Sequence, residues 1–163
     1  MLYYAGIGTR RRLPEHISAL MTRVSIKLES LGYTLRSGGA YGSDKSFEAG
    51  VANAELKEIF RPQHATLEAI ALASEHHPFW EGCDEYARKL HGRNSMIILG
   101  KFLNKPVKFV ICYTADGKHS GGTGLGMNIA EAHKIPIFNL YYPSARKRFE
   151  EFVGSNKPNV DMF

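Results

Sequence analysis

The sequence predicts an α/β protein built on an open, mostly parallel sheet of about five strands with helices on both faces. Three observations predict it. Short apolar runs alternate with stretches whose apolar residues recur every three or four positions. Glycine clusters follow three of the apolar runs and precede helices. No apolar run nears the ~20 residues that a membrane-spanning helix needs. Strands that alternate with helices pair in parallel, and right-handed crossovers leave few topologies. An α+β domain with a mixed sheet is the alternative.

The elements follow in order. Leu2 to Ile7 is a short aromatic run bounded by Gly6-Ile7-Gly8-Thr9, a buried strand followed by a tight turn. Pro14 opens a helix whose stripe of Ile17, Leu20, Met21, Val24, Leu28 and Leu31 ends at Gly32. Tyr33 to Arg36 is a second strand, cut off by Ser37-Gly38-Gly39. A helix from about Ser43 to Asn53 follows, with Ser43 as its cap, and Leu56 to Phe60 is the third strand. Residues 64–76 read as helical, 77–82 as an exposed loop and 84–104 as a longer helix. Val107 to Tyr113 is the fourth strand, and a glycine-rich loop from Gly117 to Gly126 leads into a helix ending near His133. Ile135 to Leu140 is the last strand and Ala145 to Phe152 the last helix. The arrangement is Rossmann-like. With no repeat or low-complexity linker, residues 1–163 read as one domain.

Composition bounds the rest. A chain of 163 residues and 18.2 kDa buries roughly two-thirds of its unfolded surface without metal or disulfide staples. It is 44% hydrophobic and 23% charged, with a mean hydropathy of −0.26. The N-terminus places its apolar stretch before its charges and has no small-residue cleavage site, against the pattern of a secretory signal. A cytoplasmic protein with no membrane partner is expected. Twenty-one Lys and Arg against 16 Asp and Glu give a net charge of +5 and a pI near 9.2. That balance suits a phosphorylated or polyanionic partner. Cys83 and Cys112 show no CxxC spacing, and the histidines show no ligand spacing with them, so no metal site is expected.

In a parallel sheet the strand-to-helix loops emerge together, outside the carboxyl ends of the strands. Three of them here are glycine-rich: Gly6-Ile7-Gly8-Thr9, Ser37-Gly38-Gly39-Ala40-Tyr41-Gly42, and Ser120-Gly121-Gly122-Thr123-Gly124-Leu125-Gly126. Glycine lets a backbone approach a ligand closely, and helix N-termini offer amides to phosphate. A nucleotide or sugar-phosphate site is expected there. The first loop lacks the third glycine of the dinucleotide fingerprint and no P-loop is present, so no cofactor is expected.

Taken together, Tyr4-Ala5-Gly6-Ile7-Gly8-Thr9-Arg10, Arg36-Ser37-Gly38-Gly39-Ala40-Tyr41-Gly42-Ser43-Asp44, Gly92-Arg93-Asn94 and Gly121-Gly122-Thr123-Gly124 resemble the motifs of the SMF/DprA–LOG superfamily, in the expected order. The likeness spans residues 3 to about 140. Short stand-alone members of this kind resemble those frequent in bacteriophage genomes, which would place the protein in a host cytoplasm. The resemblance implies a Rossmann-like fold. It implies either cleavage of the N-glycosidic bond of a nucleoside 5′-monophosphate, as in LOG enzymes, or single-stranded DNA binding, as in DprA-like proteins. The chain departs from the LOG pattern: Leu125 stands where threonine is expected and Asn128 where the catalytic glutamate is, with Glu131 one turn on.

Glycosidic cleavage builds positive charge on the sugar, which a carboxylate stabilises. Asp44 and Glu48 share a helix face beside the second glycine loop and are the expected catalytic pair, with Arg93 as phosphate clamp. Gly6, Gly8, Thr9, Arg10, Ser37, Gly38, Gly39, Asn94, Gly121, Gly122, Thr123 and Gly124 are the expected ligand-binding residues. Tyr41 and Trp80 are candidate stacking surfaces. The leading expectation is a nucleotide-binding protein with hydrolase activity. The alternatives are a single-stranded DNA binder that assists recombination and a silent binder of a nucleotide signal. Exposed aromatics point to a homodimer.

Overall fold

In the computed structural model, which describes residues 1–155, the short apolar runs become strands covered on both sides. The strands are β1 (Leu2–Gly6), β2 (Tyr33–Ser37), β3 (Lys57–Ile59), β4 (Val110–Cys112) and β5 (Ile137–Asn139). They form one sheet in the order β3-β2-β1-β4-β5, with every pairing parallel. The helices between and after them are α1 (Glu15–Ser30), α2 (Ser43–Glu48), α3 (Leu67–His76), α4 (Glu85–Leu99), α5 (Gly121–Ala132) and α6 (Pro143–Gly154). The architecture is the expected Rossmann-like one. The single-domain span includes residues 156–163, which lie outside the described residues.

Successive strand side chains point to opposite faces, and two apolar cores result. Tyr4, Leu35, Phe109 and Ile111 pack with Ile17, Leu20, Val24 and Leu28 of α1, Phe47 of α2, and Phe149 and Phe152 of α6. Ala5, Val110 and Cys112 pack on the other face with Ala69 and Ala73 of α3, Met96 to Leu99 of α4, and Leu125 and Ile129 of α5. Burial on both faces is why the strands read as continuous apolar runs rather than alternating ones.

Several boundaries differ from expectation, each for a local reason. The second helix stops at Glu48 rather than Asn53. Gly50 passes so close to α1 that a Cβ there would lie 2.0 Å from Ser25 Oγ and 2.4 Å from the Thr22 carbonyl oxygen. The fourth helix ends at Leu99 because Gly100 turns the chain with φ 91°, and the Lys105 amide then bonds back to the Leu99 carbonyl at 2.9 Å. Gly121 to Gly126 are not a loop: they form the first turns of α5. Gly126 lets that helix lie close to Ile7, the residue after β1, since a Cβ there would touch Ile7 Cδ1 at 3.1 Å. Nor is 77–82 simply exposed, because Trp80 packs against the core on the α4 side.

The chain leaves β1 toward β2 and β3, then crosses back to place β4 on the other flank of β1. Ligands of open α/β sheets settle at such a reversal, outside the carboxyl ends of the strands. Phe109, just before β4, anchors this crossing. It is fully buried, stacks on Tyr4 at 5.8 Å between ring centroids and meets Tyr33 at 5.6 Å. Phe109→Ala is expected to destabilise the protein by about 3–5 kcal/mol, read as a lower midpoint in denaturant unfolding followed by circular dichroism.

Candidate functional site

Arg93 and Asn94, on the buried side of α4, organise the carboxyl edge of the sheet. Arg93 is 7% exposed. Its Nη1 donates to the Gly38 carbonyl at 2.8 Å and to the Phe60 carbonyl at 3.0 Å. Its Nε donates to Asn94 Oδ1 at 2.8 Å, and Asn94 Nδ2 donates in turn to the Gly122 carbonyl at 3.1 Å. One residue pair therefore ties the segments that follow β2 and β3 to the start of α5. Burial pushes the Arg93 pKa down, as do Arg10 and Arg61, while Asp44 pulls it up.

Asp44 lies beside this cation, 6% exposed, and accepts the Ala40 amide at 3.1 Å. Burial pushes its carboxyl pKa up to about 6, against the Ala40 amide, the Arg93 charge and the neighbouring Ser37 hydroxyl. The one proton of Ser37 Oγ goes to the Gly6 carbonyl at 2.6 Å.

Around these groups lie three adjoining cavities. A central one of about 410 Å³ is walled by Gly8, Arg10, Asp44, Arg93, Asn94, His91 and the first turns of α5 from Gly121 to Gly126. A second, of about 450 Å³, lies on the β2–β3 side among Gly38, Gly39, Tyr41, Lys45, Arg61 and Tyr86. A third, of about 460 Å³, lies on the β4 side among Thr9, Arg11, Thr114, Asp116 and Gly121. Arg10 lines all three. The start of α5 carries no side-chain cap. A Cβ at Gly121 would meet nothing within 4 Å and one at Gly122 only Asn94, so this wall is bare backbone.

The expected residues fall into distinct places. Gly8, Thr9, Arg10, Gly38, Gly39, Asp44, Arg93, Asn94, Gly121, Gly122, Thr123 and Gly124 line one or more of the cavities. Gly6 and Ser37 line none of them. Gly6 makes room for Phe47, whose ring would lie 2.6 Å from a Cβ there. Gly38 and Gly39 first make room for the protein's own cations. A Cβ at Gly38 would lie 2.3 Å from Arg93 Nη1, and one at Gly39, where φ is +69°, would lie 2.6 Å from Arg61 Cζ.

Glu48 is the main displacement from expectation. It lines none of these cavities, and its carboxylate stands 3.7 Å from both Lys45 and Lys57. Asn128 does line the central cavity, but its side chain is held by His119 at 2.7 Å and donates to the His76 carbonyl at 3.2 Å. Glu131 points outward, 73% exposed, toward His119. Tyr41 is 83% exposed at the mouth of the second cavity, whereas Trp80 packs against His77, His91 and Arg88.

Arg61, Lys45 and Tyr86 were not among the expected residues. Arg61 follows directly on the third apolar run, so the rule that put the glycine loops at this edge also covers it. Tyr86 carried no comparable signal, because only the packing of α4 brings its first turn over the β2 loop.

No family model matches the chain, and no curated protein matches it by sequence. Among solved structures, DNA processing protein A from Helicobacter pylori, which has a unique single-stranded DNA binding mode, is similar with a TM-score of 0.59. Identity is 16%, over 94% of this chain and 79% of that one. The likeness establishes a DprA-like, Rossmann-like fold.

The state of Asp44 has a measurable signature. A buried neutral carboxyl keeps its proton where the unfolded chain, with an ordinary pKa of 3.8, releases it. The stability it contributes is complete below pH 3.8 and is lost as pH rises through about 6, a decline on the order of 3 kcal/mol. In Asp44→Asn that decline is expected to vanish, measured as denaturant midpoints compared with wild type from about pH 4 to about pH 7.5.

Proposed function

We propose that the chain binds single-stranded nucleic acid, DNA in the first instance, along the carboxyl edge of its sheet. The observation that carries this reading is that three neighbouring cavities along this edge share Arg10 in their walls. A site for one mononucleotide needs only one such cavity. A strand needs a trough open at both ends, with cations for its phosphates and aromatic faces for its bases. Arg10, Arg61 and Lys45 supply charge along the trough, and Tyr41 and Tyr86, 83% and 61% exposed, supply rings. The uncapped amides at the start of α5 offer a phosphate site in the central cavity. The net charge of +5 and the fold shared with a single-strand-binding protein favour the same partner.

A second reading, cleavage of the N-glycosidic bond of a nucleoside 5′-monophosphate, is favoured by one observation. Asp44 lines the central cavity with a carboxyl pKa pushed up to about 6 by burial, the range of a general acid at neutral pH. In this reading Arg93 positions the phosphate side of the ligand and Asp44 protonates the departing base. Glu48 has no part in it.

Fluorescence anisotropy with a labelled homopolymeric strand tests the first reading. Affinity is expected to fall with salt, by about 0.7 log units per log unit of salt for each phosphate neutralised. Arg61→Ala and Lys45→Ala should each make that slope shallower. Tyr41→Ala should weaken binding by about 1–3 kcal/mol while leaving the slope alone. Absence of binding at low salt, or variants indistinguishable from wild type, would refute the reading. Release of free base from nucleoside monophosphates tests the second. Asp44→Asn should abolish it and Glu48→Gln should not.

A further inference from the structure

The turn between α3 and α4 gathers three metal-type donors that the nucleic-acid reading leaves unused. His77 directly follows α3, Cys83 precedes the Asp84 cap of α4, and His91 lies within α4. Their donor atoms all lie within 4.8 Å of one another, and all three residues are half-buried. Cys83 Sγ stands 3.6 Å from His77 Nε2. Sulfur and nitrogen ligands of one tetrahedral zinc ion, bound at ~2.3 Å and ~2.05 Å, also stand about 3.6 Å apart. The rings of His77 and His91 are 4.5 Å apart between centroids and inclined by 60°. His91 Nδ1 is buried with no hydrogen-bond partner, an orphan of the kind that an ion satisfies.

We propose that His77, Cys83 and His91 form a three-ligand Zn²⁺ site at this turn. Two imidazoles and a thiolate suit zinc and not magnesium or calcium, which take oxygen ligands. Binding is balanced without redox chemistry: the thiol releases its proton to solvent, and lone pairs from one sulfur and two nitrogens form the bonds to the ion. His77 Nδ1 accepts the Phe79 amide at 3.0 Å in the metal-free geometry, so the neutral ring carries its proton on Nε2. When Nε2 takes the ion, that proton moves to Nδ1 and the exposed Phe79 amide turns to water.

The rings are held in place beforehand. Trp80 packs on His77 at 5.9 Å and on His91 at 6.1 Å between centroids, and Arg88 Nη2 donates to its carbonyl at 3.2 Å. His77 and His91 also line the central cavity beside Arg93 and Asn94. Two of the three ligands thus border that cavity, and a fourth position is left for water or a ligand oxygen, as in zinc sites with three protein ligands.

The test uses the whole chain, freed of metal by a chelator. Co²⁺ is expected to give a thiolate-to-metal charge-transfer band in the near ultraviolet and intense visible bands, saturating near about one equivalent, with Zn²⁺ abolishing both. Competition against a chromogenic chelator should show Zn²⁺ affinity falling at least about 100-fold in Cys83→Ser and, independently, in His91→Gln. Circular dichroism in chelator checks that each variant folds. If Cys83→Ser fails to fold, alkylation of Cys83 on the folded wild type gives the same comparison, because Cys112 is fully buried. A cobalt complex without the charge-transfer band, a band that survives loss of Cys83, or Zn²⁺ bound no more tightly by wild type than by the variants would overturn the site.

Discussion

A buried guanidinium holds the carboxyl edge together. A parallel sheet brings its strand-to-helix segments to one side but does not fix their distances from one another. Arg93 fixes them by donating to carbonyls after β2 and after β3 and, through Asn94, to the first turn of α5. A buried cation needs hydrogen-bond partners, and the same contacts that set the geometry supply them to Nε and Nη1. Gly38 follows from this arrangement, since any side chain there would collide with the guanidinium. The burial of Asp44 beside it has the same origin.

This constraint changes what the glycines mean. Gly38 and Gly39 let arginines lie across the backbone, so the loop after β2 presents cations rather than bare amides on that side. Gly121 and Gly122 do the opposite, leaving the start of α5 as open backbone. The carboxyl edge thus has one side of side-chain charge and one of helix-terminal amides, which attract anions by different physics. Arg10 and Arg61 both lower the pKa of Arg93, a sign of positive potential concentrated at the reversal of the sheet.

The fold was legible because its central strands are buried on both faces, so their apolar runs are short and continuous, and glycine clusters follow three of the runs. What stayed hidden depends on contacts distant in sequence. Helical periodicity could place Asp44 and Glu48 on one face, but not reveal that Lys57, from β3, draws Glu48 away from the cavity. A run of glycines reads as a loop, yet 121–126 is helical and lies close against Ile7, just after β1, and Ile98 of α4. His77, Cys83 and His91 match no familiar ligand spacing. Only the packing of α3 on α4 brings them together. The site motifs carried more signal: Arg93, Asn94, Gly38 and Gly122 all stood out in sequence, though the hydrogen bonds that join them, and the one to Phe60, did not.

Trp80 is the one tryptophan of the chain, and at the margin of the α4-side core it sits between two imidazoles and a guanidinium. Imidazolium and nearby cations alter indole emission, so this protein's intrinsic fluorescence is a spectroscopic gauge of one corner of the molecule. A change in that corner shifts the signal with the sheet intact, and loss of the α1 and α6 layer goes largely unseen until the corner itself opens. Agreement between emission and far-ultraviolet dichroism during unfolding therefore carries unusual weight here. It reports that the α3–α4 turn and the sheet melt as a single cooperative unit.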